Sequence, residues 1–188
     1  FQAAVITTIR NNDAVIDQAT LDDFVPQIFE RFASGLIAEH SFTDNQCRDF
    51  TMAQDGMSRG VNSIMSLDLL GPQFAYDADH IIANSSVVYA STDTLVLAER
   101  SFDWWWYWNN SDFQESTNIH RFDISQPGQT RYTGSGRVEG FANNQFNLSE
   151  DNGYIRVATS IGGWWWWDNG EQELGNNVYV LAGDNSLE

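Results

Sequence analysis

Three histidines, one cysteine and 26 acidic side chains are the groups through which this 188-residue chain could do chemistry. His40, His80 and His120 lie far apart, and none has the i, i+4 helical spacing of a zinc-binding histidine pair. His80 follows Asp77-Ala78-Asp79, a spacing that could form a carboxylate–histidine pair for proton transfer, although a structural role is the simpler reading. Cys47 alone can form neither an internal disulfide nor a zinc site, and is read as a small buried residue. Two carboxylates roughly 5–10 Å apart would be the minimum for glycoside hydrolysis. The acids, however, fall in structural contexts: Asp22-Asp23 suit a helix start, while Asp151 and Asp168 open Asp-Asn-Gly turns. Asp168-Asn169-Gly170-Glu171 with Glu173 offers oxygens to Ca2+ without the alternating pattern of an EF-hand, so calcium is the one cofactor left open and none is otherwise expected. No nucleophile elbow and no dinucleotide-binding glycine motif occurs, so no catalytic residue is assigned.

The aromatic residues make the stronger pattern. All eight tryptophans sit in two runs, Trp104-Trp105-Trp106-Tyr107-Trp108 and Trp164-Trp165-Trp166-Trp167. On an extended chain, consecutive rings point alternately to opposite sides. These nine residues are the candidate contact surface, a platform on which a carbohydrate or a protein could stack. In the competing reading the two runs pack against each other and extend the hairpins that carry them.

Composition narrows the class of partner. All nine basic side chains are arginine, and the formal net charge is −17. A surface this acidic repels nucleic acid and anionic lipid, and the absence of lysine excludes a P-loop and a Schiff base. No segment approaches the ~18 consecutive apolar residues of a membrane span. The chain begins at Phe1 without a Met, which is uninformative about a leader.

The elements that must position these residues emerge from an internal repeat. A shift of 60 residues sets Leu95-Val96-Leu97-Ala98 on Ile155-Arg156-Val157-Ala158 and Trp104 on Trp164. A shift of 55 sets Ile64 to Leu69 on Ile119 to Ile124 and Pro72 on Pro127. Val178 to Leu181 forms a third copy, which aligns His120 with Met65 and Tyr179 and suggests a structural place for that histidine. Within a unit the expected strands are Ile81 to Tyr89, Thr94 to Glu99, Asn118 to Ile124 and Thr130 to Ser135, with turns at Ser91-Thr92-Asp93 and Pro127-Gly128. In the next copy Asp151-Asn152-Gly153 supplies the hairpin turn. Four antiparallel strands per unit of 55–60 residues describe a β-propeller blade.

This register places about two and a half blades in residues 61–182, with each tryptophan run between a blade's second and third strands. Ala3 to Ile9 then reads as another second strand, and residues 10–60 as a helix-containing insertion before the third strand at Ile64 to Leu69. The expected helix runs through Ile28, Phe29, Phe32, Ala33, Leu36 and Ile37, with Thr20 as a candidate N-cap and Pro26 near its start.

Several ordered stretches resemble a known family. They are Ser116 to Ile124, Tyr132 to Gly140, Asn144 to Glu150 and Gly153 to Thr159, with Leu21-Asp22-Asp23-Phe24-Val25-Pro26, Cys47 and Val88-Tyr89-Ala90-Ser91 upstream. Together they are similar to the signature core of bacterial and archaeal secreted proteins with a C-terminal β-propeller domain. The resemblance covers roughly residues 20–182. It implies a fold distantly related to WD40 repeats and export to the cell exterior or envelope, but no established activity and no catalytic residues. The family's propeller is more than twice as long, whereas at most three blades are visible here.

The expectation is therefore an all-β, partial β-propeller spanning residues 1–188, of about three four-stranded antiparallel blades with one inserted helix. Its expected role is a non-catalytic binding or interaction scaffold, with no nucleic acid partner and no membrane insertion. The alternative is a polysaccharide-active hydrolase using paired carboxylates. A ring this short leaves blade faces uncovered, so the chain is also expected to self-associate through them.

Overall fold

The computed structural model describes residues 2–20, 23, 27–40, 50–54, 58–72, 74–84, 86–101, 115–162 and 174–182. The chain divides into two units, Phe1–Arg48 and Asp49–Glu188. In the first unit, α1 (Gln2–Gln18) occupies the stretch expected to hold a strand from Ala3 to Ile9. β-Branched residues favour a strand where a pleated partner receives them. Here no described strand pairs with the segment, and the Thr7 and Thr8 side-chain hydroxyls donate one turn back along the helix to the Ala3 and Ala4 carbonyls.

The helix expected from Ile28 to Ile37 is absent. In its place is a hairpin, β1 (Ile28–Arg31) and β2 (Ile37–His40), paired from Ile28↔His40 to Arg31↔Ile37. Gly35 decides the outcome: at φ +84° it closes a turn between Phe32 and Leu36 that no helix interior tolerates. Apolar spacing over so short a run fits either period, and the glycine breaks the tie. Thr20 caps no described α-helix downstream; its N–H and hydroxyl donate to Asp23, which holds that carboxyl below its ordinary range.

Among the described residues, the second unit holds three stacked sheets. Sheet 1 has the order β3-β5-β4, from β3 (Phe50–Met52), β4 (Val61–Asp68) and β5 (Ala75–Ile82), with β3 parallel to β5 and β4 antiparallel to it. Sheet 2 is a four-stranded antiparallel meander of β6 (Ser86–Ala90), β7 (Thr94–Ser101), β8 (Ser116–Asp123) and β9 (Arg131–Glu139). Sheet 3 comprises β10 (Leu148–Asp151), β11 (Tyr154–Ile161) and β12 (Gly175–Leu181). The bounds of β7 and β11 coincide after a shift of 60 residues, and those of β4 and β8 after 55. The expected strand from Ile81 to Tyr89 is two strands, because the chain crosses between sheets there: Ala83 N–H donates to Gly60 and Asn84 N–H to Glu99.

Side-chain alternation gives sheet 2 two working faces. One carries Val96, Ala98, Ile119 and Val138 against Leu148, Ile155, Val157 and Leu181 of sheet 3. The other sets Leu97 and Phe122, flanked by Leu95 and Tyr132, against Ile64, Ile81 and Ala83 around sheet 1. Polar contacts reinforce this second join, since Thr130 donates from its N–H to Asp77 and from its hydroxyl to Asp79. Gly128, in the same turn, has φ +73°, and an added Cβ would lie 3.1 Å from the Ala75 carbonyl oxygen. Gly128→Ala is therefore expected to lower stability by about 1–3 kcal/mol in denaturant unfolding, by combining backbone strain with a steric clash. At the β10–β11 hairpin, Asn152 (φ 53°) and Gly153 (φ 83°) form the expected turn.

Candidate functional site

Strand alternation separates the residues that their sequence spacing suggested as a catalytic pair. Asp77 and Asp79 face sheet 2 and hold Thr130, while His80 points to the opposite face. There its Nδ1 lies 2.8 Å from the Ser63 hydroxyl and its ring stacks on Phe50 at 4.9 Å. The side chains of Asp77 and Asp79 thus point away from His80, and the carboxylate–histidine pair read from their spacing is not formed. His40 sits 3.0 Å from Glu30 across the β1–β2 hairpin.

A different carboxylate meets a histidine. Glu99 on β7 and His120 on β8, both about 1% exposed, approach to 3.7 Å between Oε2 and Nε2. Glu99 Oε1 accepts from the Ser58 hydroxyl at 2.7 Å and from Asn84 N–H at 2.5 Å, and His120 Nδ1 lies 3.2 Å from the Tyr132 hydroxyl. Burial pushes the Glu99 carboxyl up, but His120, the Asn84 N–H and the Ser58 hydroxyl together outweigh it and hold the group below the usual range. Burial likewise raises the Tyr132 hydroxyl. This network, with Glu99 and His120 closed to solvent, links Ser58 and Asn84, which flank the strands of sheet 1, to sheet 2. Period-two alternation from Leu95 through Leu97 to Glu99, and from Phe122 back to His120, was the available signal for it.

The stems of the two aromatic connections meet at one end of sheets 2 and 3. The nine candidate residues, Trp104 to Trp108 and Trp164 to Trp167, lie outside the described residues, as do Cys47 and the Asp168–Glu173 calcium candidate. Their anchoring strands are described. The first connection leaves and re-enters sheet 2 at the Ser101↔Ser116 pair, and the second does so in sheet 3 at Ile161↔Gly175. Glu115, the last residue of the first connection, accepts from Gly162 N–H, the first residue of the second, at 2.7 Å. Its main-chain oxygen also accepts from Gly140 N–H at 2.7 Å. Its other carboxylate oxygen is buried and has no hydrogen-bond partner among the described residues.

The chain crossing from sheet 2 to sheet 3 completes this end. Thr117 donates to the Gly140 carbonyl at 2.7 Å and Thr159 to that of Glu139 at 2.6 Å. The Arg100 guanidinium lies 5.1 Å from the Phe141 ring centroid and donates to Asn143. Elsewhere, a cleft of about 380 Å³ is lined by Asp123, Ser125, Gln126, Gln129, Thr130 and Arg131, with Asp123 and Arg131 paired at 2.9 Å. Among the described residues no group of three or more histidine, cysteine, aspartate or glutamate side chains could hold a metal ion.

Repeated, mainly antiparallel sheets stacked face to face, with long connections at one end of sheets 2 and 3, define a β domain of the propeller type. The chain belongs to the β-propeller domain family, whose model matches residues 3–188. It is also similar to an uncharacterised protein of Methanocaldococcus jannaschii, MJ1554, at 46% identity over 50 residues. That match covers 27% of this chain and 7% of the relative. No solved structure matches the chain.

Proposed function

We propose that this domain is an exported, non-catalytic binding scaffold whose contact surface is the pair of tryptophan runs, and that the partner is a neutral carbohydrate. The observation that carries this reading is the tie between Glu115 and Gly162, which holds the roots of the two connections together. With the stems fixed by this bond and by the strand pairs at Ser101↔Ser116 and Ile161↔Gly175, ring-on-ring packing is not needed to bring them together. The rings can then serve a partner. Indole faces stack on the apolar C–H faces of sugars, and a net charge of −17 disfavours anionic partners. The resemblance to secreted propeller proteins supports export.

Trp105→Ala combined with Trp165→Ala tests the assignment. The expected result is lost retention on a neutral polysaccharide affinity gel with a melting temperature close to that of the unmodified chain. A large fall in melting temperature would instead assign the rings to packing within the fold.

A further inference from the structure

Asp123 and Arg131 form the last register pair of β8 and β9, and the chain between them folds back to shape the polar cleft of about 380 Å³. Its frame is held from outside the turn. Ile124 N–H donates to the Asp93 carbonyl at 2.9 Å, Gly128 lies against Ala75, and Thr130, 7% exposed, is fixed by Asp77 and Asp79 of sheet 1. Within the turn, Gln129 N–H closes on the Gln126 carbonyl at 3.1 Å. A site fixed in advance loses little freedom when a ligand enters. The Ser125 hydroxyl and N–H, together with Arg131, hold the Asp123 carboxyl below its ordinary range, so it is charged at neutral pH and pairs with the Arg131 guanidinium at 2.9 Å. Each charge offsets the other, and a free anion or a free cation would meet a group of its own sign. Beside the pair stand the Gln126 and Gln129 amides, both exposed and without a side-chain hydrogen bond among the described residues, and the Thr130 hydroxyl. An amide presents donors and an acceptor together, which suits hydroxyl groups that also donate and accept.

We propose that this cleft is a binding site for one unit of a neutral saccharide, in which one hydroxyl of a vicinal pair accepts from Arg131, its neighbour donates to Asp123, and Gln126 and Gln129 bond the remaining hydroxyls. The volume lies at the small end of the roughly 300–1,000 Å³ range of ligand pockets, which suits a single sugar ring better than a chain. None of the lining residues is aromatic, so recognition rests on hydrogen bonds and depends on the configuration of the hydroxyls. Ser116 and Asp123 are the two ends of β8, roughly 23 Å apart at the rise of an extended strand. The cleft therefore lies at the opposite end of sheet 2 from the first tryptophan connection and binds independently of it.

Amide chemical-shift titration of the 188-residue chain with the methyl glycosides of glucose, galactose, mannose and xylose provides the test. At least one of the four is expected to give saturable shifts confined to Asp123–Arg131 and the residues touching them, Asp77, Asp79 and Asp93. The same shifts are expected when Trp105 and Trp165 are both replaced by alanine, which separates this site from the tryptophan runs. Gln126→Ala with Gln129→Ala is expected to weaken binding by roughly tenfold or more, the scale for losing two hydrogen bonds, with circular dichroism unchanged because both side chains are exposed. Inorganic phosphate and sodium ions are expected to leave these residues unshifted. Absence of shifts with all four glycosides would overturn the proposal, as would saturation by phosphate, binding that is lost with the tryptophans, or undiminished binding by the glutamine variant.

Discussion

Glu99→Ala is expected to destabilise the second unit by about 2–5 kcal/mol, since each donor left without its acceptor at a buried site costs about 1–3 kcal/mol. The change leaves the Ser58 hydroxyl and Asn84 N–H without their acceptor and the His120 imidazole facing an empty site. Glu99→Gln keeps an oxygen for the two donors and removes the charge, so a smaller loss is expected. The two variants also separate in pH. Glu99 is held below its ordinary pKa in the folded chain, so its contribution is fully present above the unfolded carboxyl value of about 4.3 and disappears as pH falls through the lower folded value. Urea unfolding from neutral pH down into this acid range should therefore show the gap between the unmodified chain and Glu99→Gln narrowing. A gap that stays constant would mean that the Glu99 charge contributes nothing at the join of sheets 1 and 2.

Phe122→Ala should produce a loss of similar size, about 3–5 kcal/mol, for a different reason. Phe122 is fully buried between sheets 1 and 2, among Ile64, Ile81, Ala83 and Leu97, with the Tyr132 ring edge-on at 5.3 Å. Truncation removes its transfer energy and opens a cavity that two facing sheets, each pinned by its own strand pairing, cannot collapse to fill. Phe146, 88% exposed, provides the internal comparison, and its replacement by alanine is expected to shift stability by no more than about 0.5 kcal/mol. Chemical denaturation of both variants tests the assignment of the core. Equal effects would contradict it.

Strands were legible in the sequence wherever the repeat supplied a second reading. Leu95 to Ala98 matches Ile155 to Ala158 because both lie on second strands that turn the same alternate positions, Leu95 and Leu97 in one and Ile155 and Val157 in the other, toward the preceding sheet. Asp151-Asn152-Gly153 was legible because positive φ restricts the residue type at a hairpin turn. The first 48 residues offered no such copy. There Val5, Ile6 and Ile9 read as strand and fold as helix, and Ile28 to Ile37 reads as helix and folds as a hairpin around Gly35. The contacts that define the sites were hardest to see. Glu99 and His120 meet only through the β7–β8 register, and Glu115 reaches Gly162 only because sheets 2 and 3 stack. No local pattern encodes that second contact. The aromatic runs were obvious in the sequence, yet their shared root became visible only in the stacked sheets.

A glycan array read for both retention and released sugar tests the scaffold reading most directly. At least one neutral glycan is expected to be retained by the unmodified chain, with no reducing sugar released, and retention is expected to be lost when Trp105 and Trp165 are replaced together. Released sugar, or retention that survives that replacement, would contradict it.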